Sequence, residues 1–445
     1  MKEIWQQRSF DSEAIIIFGN GSSDMQKKLL YLTSRVFWPT KSGHEVHIYN
    51  YCRALSEKYG YCVDVYIFED QKTVDEALKD KPAFLHNIIC GEKISKLDIV
   101  GNGLSKTVFN KNHWSLQSSL YFNKANCQKL HSLNTKEHYD VLFVDMVRLA
   151  PYISAFSDSS LLTVLDMGDM LSKRYKRQIS SVNEKSNVGG AYTDSMSKTM
   201  QSILRPKWIQ TAILKTENKL MEGSEIYWAE KYDSVILVST VETDELNQKL
   251  SKPKAVTVRV GVDSDYFGEE RGSEKGTGLV SFVGDMRTAA NSDTVGYVIN
   301  NILPLCKNVK QMTFVGKCPD GLREAYQGND KVRFAGMVPD LRDEVKKTNV
   351  FLAPMAYGTG VKIKIVEAMA MGMPVVTNPI GAEGIPGENG VHWYVGNSDT
   401  EIAEYIDQLL ADPAVCAEMG ENAQRLVDET FSWNAATKAF AKAGL

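Results

Sequence analysis

The sequence predicts an α/β protein with two doubly wound parallel sheets, one in each half of the chain. Its 445 residues exceed the roughly 250 to 300 residues that one core accommodates. Short apolar runs recur in both halves, and each is followed by a helical pattern, which is typical of parallel strands covered by helices. A stretch rich in Gly, Glu and Lys over 267–277 separates the two series and predicts the connection between domains.

In the first half, a loop over 38–43 leads into a predicted helix from about 45 to 58. Residues 70–135 predict short extra elements, the serine-rich stretch 180–199 predicts a mobile loop, and a helix is expected over 207–221. The predicted strands are Leu29–Thr33, Cys62–Ile67, Val141–Val144, Leu162–Leu165, Ser234–Val238 and Val258–Val260.

The second half begins a new series of strands and helices. A helical pattern covers 400–429, and a terminal amphipathic helix is expected from about Trp433. The predicted strands are Leu279–Val283, Gln311–Val315, Val332–Phe334, Val350–Ala353 and Pro374–Thr377.

Composition narrows the class of protein. Hydrophobic residues make up 43% of the chain, no apolar run approaches the roughly 20 residues of a membrane-spanning helix, and the run Ala14–Phe18 is too short for a secretory signal. The seven cysteines show no metal-ligand spacing, so we expect reduced thiols, a cytoplasmic location and no metal site. A net charge of −4 argues against nucleic acid as a partner.

A glycine loop after the predicted strand Val350–Ala353 is the most informative local feature. Gly358 and Gly360 let backbone amides approach a ligand, and the helix that follows presents unpaired N–H groups. Lys362 and Lys364 add positive charge, and Glu367 lies one turn beyond Lys364 on the same helix face. This combination predicts a nucleotide site, with the diphosphate on the cations and the ribose diol on the carboxylate.

These residues also carry a family resemblance. The segment 358–376, the segment Gly381–Gly384, and Phe282–Met286 with Asn291 downstream resemble the GT-B glycosyltransferases of the large retaining group that uses nucleotide sugars. The resemblance implies two Rossmann-like domains facing a cleft. The N-terminal, acceptor-binding domain would span 1–265 and be completed by the C-terminal helix 431–445, and the C-terminal, nucleotide-sugar-binding domain would span 276–430.

The chain departs from this family at three positions. Thr359 occupies the place of the first of two glutamates, and Asp285 and Ala290 occupy the places of an arginine and a lysine. Our hypothesis is that Lys362 and Lys364, helped by Arg287, neutralise the leaving diphosphate instead.

The resemblance assigns a role to each matching residue. Asp166 and Asp169 follow a predicted strand, and the alternative to a catalytic role is that they cap a helix near Ser172. The alternative to donor binding for Asn291 is also a helix cap. His44 and His47 fit better as ordinary polar residues of the first helix. Donor-binding residues are expected to be Gly43, Gly284, Arg287, Asn291, Val338, Gly358, Gly360, Val361 and Glu367, and catalytic residues Lys364, Lys362, Thr359, Asp166 and Asp169.

The resemblance implies transfer of a sugar from a nucleoside-diphosphate sugar to an acceptor hydroxyl, with retention, in polysaccharide or glycoconjugate biosynthesis. No cofactor is expected, and the acceptor is a glycan, a lipid-linked molecule or a protein. Two alternatives stay open, a non-catalytic partner subunit and a nucleotide-sugar epimerase. Apolar and basic residues recur at helical spacing around 205–219 and have two interpretations. The segment is either a helix that associates peripherally with the inner face of a membrane or a helix packed on the N-terminal sheet.

Overall fold

A computed structural model describes residues 26–40, 42–108, 114–157, 160–181, 207–270, 276–358 and 360–445. The predicted site residue Thr359 lies outside these ranges, and so does the expected loop from residue 182 onward. The chain divides into two compact units. The N-terminal unit comprises Met1–Ser172, Thr216–Val258 and Thr437–Leu445, and the C-terminal unit comprises Lys173–Lys215 and Arg259–Ala436.

The N-terminal unit contains a seven-stranded parallel sheet in the order β3-β2-β1-β4-β5-β6-β7. The inner strands are buried on both faces, as all-parallel sheets require, with Leu29, Leu30, Tyr31 and Leu32 fully inaccessible. The strands are β1 Lys28–Thr33, β2 Cys62–Ile67, β3 Ile88–Cys90, β4 Val141–Asp145, β5 Leu162–Gly168, β6 Ser234–Leu237 and β7 Ala255–Thr257.

Helices connect these strands. The first one starts where Ser42 and Glu45 form a reciprocal capping box. The α-helices are α1 Gly43–Glu57, α2 Gln71–Ala77, α3 Lys96–Asn102, α4 Leu116–Tyr121, α5 Lys124–Glu137, α6 Leu171–Ser181, α7 Lys207–Lys231 and α8 Thr240–Lys249. From Lys173 onward α6 belongs to the C-terminal unit, and so does α7 as far as Lys215. Shorter 3₁₀ or π segments cover Leu78–Asp80, Gly103–Val108 and Val147–Ala155.

The C-terminal unit contains a six-stranded parallel sheet in the order β10-β9-β8-β11-β12-β13. All four residues of β11 are buried. The strands are β8 Leu279–Val283, β9 Gln311–Val315, β10 Val332–Gly336, β11 Val350–Ala353, β12 Val375–Thr377 and β13 Tyr394–Val395.

The α-helices of this half continue the numbering. They are α9 Ser264–Gly268, α10 Ala289–Tyr297, α11 Asp320–Ala325, α12 Leu341–Val345, α13 Ile363–Ala370, α14 Pro379–Ala382, α15 Asp399–Ala411, α16 Pro413–Thr430 and α17 Trp433–Thr437. Shorter segments cover Val298–Ile302, Leu303–Leu305 and Lys438–Ala443, and the last of these lies in the N-terminal unit, where Phe440 packs against Tyr51.

The prediction of two parallel α/β sheets is confirmed. Three element predictions were wrong in detail. The last strand of the first half is Ala255–Thr257 rather than Val258–Val260, and the helix expected over 207–221 continues to Lys231. The helical pattern of 400–429 is two helices, because Asp412 caps a new helix that starts at Pro413, whose ring suits the first helical position.

Helix α7 contains most of the segment for which peripheral membrane association was considered. Leu214 and Met221 are buried, whereas Lys215 and Lys219 are exposed to solvent. This pattern is typical of a helix that packs through its apolar side. Within the described ranges, no helix is long and apolar enough to cross a bilayer.

Candidate donor-binding site

The C-terminal sheet has a point at which successive connections leave in opposite directions. Strand β8 lies between β9 and β11, so the loops after β8 and β11 start side by side at the carboxyl edge. In doubly wound sheets, ligands bind at this switch point. Gly284 directly follows β8, and the glycine loop follows β11, so the topology places two predicted parts of the site next to each other.

The glycine loop has the backbone conformation that its sequence predicts. Gly358 has φ 146° and Gly360 has φ 64°, both in the region that side chains rarely adopt. The largely buried Lys362 donates from Nζ to the carbonyl oxygen of Gly360 at 2.6 Å and occupies the N-cap position of α13. Val361, beside it, is half-buried. The side chain of Lys362 therefore links the glycine loop to the start of α13.

Lys364 contacts the other side of the switch point. Its Nζ donates to Asn291 Oδ1 at 2.5 Å and lies 4.3 Å from the centroid of the Phe282 ring. Asn291 in turn donates from Nδ2 to the carbonyl oxygen of Asp285 at 3.0 Å. Asn291 therefore joins the lysine of α13 to the loop after β8.

Gly284 leaves room for these two side chains. A Cβ at this position would lie 2.8 Å from Asn291 Nδ2, closer than real Cβ atoms approach, and 3.0 Å from Lys364 Nζ, so both side chains would have to shift. The same edge has a second close approach, because a Cβ at Gly316 would lie 2.1 Å from the carbonyl oxygen of Gly284. Side chains are thus excluded where the ends of β8 and β9 meet.

Glu367 supplies the acceptor group of the site. It lies one turn after Lys364 on α13, half-buried, and within the described part of the chain its carboxylate has no hydrogen bond or ion pair. A partly buried carboxylate without donors is costly unless a ligand supplies them. A ribose diol is a donor of the required kind.

The two groups perturb each other electrostatically. Burial lowers the pKa of Lys364 to about 8, with Lys362 acting in the same direction and Glu367 opposing it. Burial raises the pKa of Glu367 to about 7, against the attraction of Lys364. Both shifts follow from burial, and a phosphate or diol gains most from charged groups in a poorly solvated place.

Arg287, which was expected to assist at the donor diphosphate, is paired with Asp285. Its Nε and Nη2 donate to the two carboxylate oxygens of Asp285 at 2.9 and 2.6 Å, and its side chain is 58% exposed. Hydrogen bonds from Arg287 hold the pKa of Asp285 below its ordinary value. The pair cancels most of its own charge, and the assistance of Arg287 at the diphosphate stays a prediction.

The predicted base-binding position lies at the end of the neighbouring strand. Val338 follows β10 and is half-buried. Gly336, with φ 73°, turns the chain there, and its carbonyl oxygen accepts a hydrogen bond from the amide of Gly316 at 2.8 Å.

The carboxyl edge of the N-terminal sheet carries two histidine–aspartate pairs. His44 Nε2 lies 3.2 Å from Asp145 Oδ2, and His47 Nε2 lies 2.8 Å from Asp166 Oδ2. The charge of Asp145 raises the pKa of His44. Gly43 begins the helix that carries both histidines, and a Cβ there would meet nothing within 4 Å, so protein packing does not require this glycine.

The interpretation of His44 and His47 as ordinary polar residues overlooked this pairing. Histidines three apart near the start of α1 face the ends of β4 and β5, and aspartates occupy both ends. Four buried polar atoms in this region have no hydrogen-bond partner within the described residues, namely Asp145 Oδ1, His47 Nδ1, Tyr31 Oη and Ser34 Oγ. Such atoms indicate a place for water or for hydroxyl groups of a ligand.

The start of α6 is held by a residue that the sequence did not indicate. Glu225 accepts hydrogen bonds from the amide and the hydroxyl of Ser172. Burial raises the pKa of Glu225 to about 7 against these two bonds, and the nearby half-buried Asp169 raises it further. Asp166 instead accepts from the amide of Gly168 and pairs with His47. Glu225 therefore binds the amide that Asp166 was considered to cap.

A protein-family model matches part of the C-terminal unit. The model of the glycosyl transferases group 1 matches residues 277–412, which include the glycine loop, Lys364 and Glu367. A mannosyltransferase of lipopolysaccharide core biosynthesis, LpcC of Rhizobium leguminosarum bv. viciae, is 33% identical over 108 residues, 23% of this chain and 30% of LpcC.

Other relatives extend the comparison. An uncharacterized 44.6 kDa protein in the cps region of Klebsiella pneumoniae is 23% identical over 211 residues, 45% of this chain. The chain spans about half the length of that relative and less than a third of LpcC. The crystal structure of Anabaena Alr3699/HepE, in complex with UDP and glucose, superposes with a TM-score of 0.58 at 15% identity, covering 94% of this chain and 99% of that one.

The site geometry and the comparisons agree on the same half of the molecule. The residues that form the switch-point site, from Gly284 to Glu367, lie inside the matched range. The match to the glycosyl transferases group 1 therefore covers the switch-point site, and the chain has the GT-B fold.

Proposed function

We propose that this protein is a glycosyltransferase that moves a sugar from a nucleoside-diphosphate sugar to an acceptor hydroxyl. The observation that carries the proposal is the arrangement of Lys364, Asn291 and Glu367 at the switch point of the C-terminal sheet. Lys364 is a cation held by the side-chain amide of Asn291, and it matches the diphosphate of a nucleotide. Glu367, one helical turn away, is a carboxylate without a partner among the described residues, and it matches the ribose of the same nucleotide.

The chemistry follows from where charge develops. The bond from the anomeric carbon to the diphosphate oxygen breaks, its electron pair leaves with the diphosphate, and the acceptor oxygen forms the new bond. Lys364 and Lys362, with the backbone amides of the glycine loop, stabilise the leaving diphosphate in a poorly solvated place where such stabilisation is largest. Because these cations provide the charge, we expect no metal to take part in the transfer. The expected outcome is retention, with the leaving phosphate accepting the hydroxyl proton.

The comparisons suggest substrate classes. HepE was crystallised with UDP and glucose, LpcC transfers mannose in lipopolysaccharide core synthesis, and another relative belongs to a cps region. We therefore propose a role in polysaccharide or glycoconjugate biosynthesis. The cytoplasmic location and peripheral association with a membrane are separate proposals that rest on the sequence. Liposome flotation at low and high salt tests peripheral association. Electrostatic binding to the membrane through the lysines of the segment 205–219 should weaken as salt screens their charges.

Isothermal titration with UDP, GDP and ADP and with their sugars tests the proposal first. One nucleotide should bind, and Glu367→Gln should weaken it by about 1.5 to 3 kcal/mol, because a charge-assisted hydrogen bond to the ribose is lost. Glu404→Gln, an exposed glutamate on α15, is the matched control and should bind as the wild type does. Absence of binding by every nucleotide would refute the proposal.

Transfer is measured separately, with purified protein alone. Release of nucleoside diphosphate together with a glycosylated acceptor distinguishes an active transferase from a partner subunit that only keeps the fold. Recovery of the donor with an inverted sugar centre would instead identify an epimerase. The anomeric configuration of the product, read by NMR coupling constants, tests retention.

A further inference from the structure

A second cluster of polar side chains lies at the opposite edge of the N-terminal sheet. Cys62 is the first residue of β2 and Asp64 is two residues further, so both side chains emerge on the same face of the strand. His86 lies two residues before β3, and its amide donates to the carbonyl oxygen of Val63 at 2.9 Å, which places it next to that edge. One ligand atom from each of the three lies within 4.8 Å of the others.

The charge of this cluster is incompletely compensated. The carboxylate of Asp64 is buried, and its contacts within the described residues are the hydroxyl of Tyr139 at 2.7 Å, the amide of Asn87 at 3.1 Å and Nδ1 of His86 at 2.8 Å. The first two donors are neutral, and His86 is cationic only when protonated. Buried charges are ordinarily paired or bound to a metal, so a bound cation would complete this site.

We propose that Cys62, Asp64 and His86 bind a divalent transition-metal ion of borderline softness, Zn²⁺ in particular, with water as the fourth ligand. A thiolate, an imidazole and a carboxylate form a donor set that suits Zn²⁺ and neither Mg²⁺ nor Ca²⁺, which take oxygen ligands.

The geometry requires only small movements. Ligand atoms around a tetrahedral zinc are separated by about 3.3 to 3.8 Å. The separations here are at most 4.8 Å, so the longest must shorten by up to roughly 1 Å, whereas His86 Nδ1 and Asp64 Oδ1, now 2.8 Å apart, must move apart slightly. The side chain of His86 is 56% exposed and can rotate, while its backbone carbonyl is held by Lys81 Nζ at 2.8 Å. Tyr139 and Asn87 keep their hydrogen bonds to Asp64 and act as outer-shell partners that orient the carboxylate.

Metal binding at this site would be coupled to a proton. Burial and the charge of Asp64 raise the pKa of the Cys62 thiol, and Lys28 acts in the opposite direction. Zn²⁺ displaces the thiol proton to solvent when the sulfur–metal bond forms, so affinity should fall as pH decreases. The bound ion would join β2 to the segment before β3 at the end of the sheet remote from His44 and Asp145.

The test uses the full-length protein, freed of metal with a chelator and then titrated with Co²⁺, which reports thiolate ligation by an ultraviolet charge-transfer band. We expect one Co²⁺ per chain, displaced by Zn²⁺, and a melting temperature raised by either metal. Cys62→Ser should abolish the charge-transfer band. Cys90→Ser should keep it, because Cys90 has similar partial exposure but lies at the other end of β3, away from His86 and Asp64.

A second variant guards against misfolding of the first. His86→Gln alters a half-exposed side chain outside any strand and keeps an amide that can donate to Asp64. It should weaken Co²⁺ binding at least tenfold, while the metal-free protein still unfolds in one cooperative transition. No Co²⁺ binding by the wild type, or binding that His86→Gln and Cys62→Ser leave intact, would overturn the proposal. Nucleotide binding does not enter this test, so its outcome is independent of the proposed transferase activity.

Discussion

Lys364 Nζ lies 2.5 Å from Asn291 Oδ1, and this contact joins the helix after the glycine loop to the loop after β8. The two residues are 73 positions apart in the chain and come together because β8 and β11 are neighbours in the sheet. The contact holds a flexible side chain in one orientation, which reduces the conformational cost of binding a phosphate.

Replacement of Lys364 should therefore reduce turnover strongly. We expect Lys364→Ala to lose on the order of 2 to 4 kcal/mol of transition-state stabilisation, comparable to the loss of one oxyanion donor. The measurement is kcat and KM for donor hydrolysis or transfer, with the exposed Lys307→Ala as a control expected to behave as wild type. Unchanged turnover in Lys364→Ala would remove this lysine from the mechanism.

Nucleotide affinity should depend on pH around neutrality. Lys364, with a pKa of about 8, loses its positive charge as pH rises through 8, and Glu367, with a pKa of about 7, loses its negative charge as pH falls through 7. We expect nucleoside diphosphate affinity to be highest between these values. In Lys364→Met the decrease above pH 8 should disappear, and calorimetry over pH 6 to 9 is the measurement. A decrease that persists in this variant would assign it to another group.

Glu367 should lower the stability of the protein without ligand. Its folded pKa of about 7 is above the ordinary 4.5, so the folded state binds a proton better, and stability is lost as pH rises from about 4.5 through 7. Because glutamine mimics the protonated form, Glu367→Gln should be more stable than wild type above pH 7, by on the order of 1 kcal/mol, and equal to it near pH 4.5. Urea unfolding at both pH values measures the difference. A destabilised variant at pH 8 would contradict this account.

Alanine at Gly284 should disturb the donor site specifically. The added Cβ would displace Asn291 and Lys364, so we expect nucleotide affinity to fall by at least about tenfold, or 1.4 kcal/mol. Gly321→Ala is the matched control, because a Cβ at Gly321 would meet nothing within 4 Å. Equal affinities in the two variants would show that the close packing at Gly284 is irrelevant to binding.

Loss of the Asp166 carboxylate should destabilise the N-terminal unit. Asp166 is buried and paired with the buried His47, so Asp166→Ala should lower the free energy of unfolding by about 3 to 5 kcal/mol, with Asp166→Asn as the milder isosteric control. Denaturant titration measures this. If folded Asp166→Asn transfers sugar at the wild-type rate, the role of Asp166 is structural and its predicted catalytic role is wrong.

The candidate site was predictable in its local parts only. Gly358, Gly360 and the helix that follows them could be recognised because the loop and helix signals are adjacent in the chain. The pairs Lys364–Asn291, Arg287–Asp285 and His47–Asp166 show the limit, because a sequence pattern states which groups are present and not which of them meet. Arg287 was considered for the diphosphate, and its contact is with a carboxylate two residues away.

The sequence by itself determined the alternation of buried strands and helices, the glycine loop and the family resemblance, since periodicity, turn chemistry and helix capping act over a few residues. Tertiary structure decided the sheet order, which brings Gly284 beside Lys364, and the pairing of His44 and His47 with aspartates from two strands. It also decided the electrostatics, because the pKa values of Lys364 and Glu367 depend on how much water the assembled sheet and helices exclude.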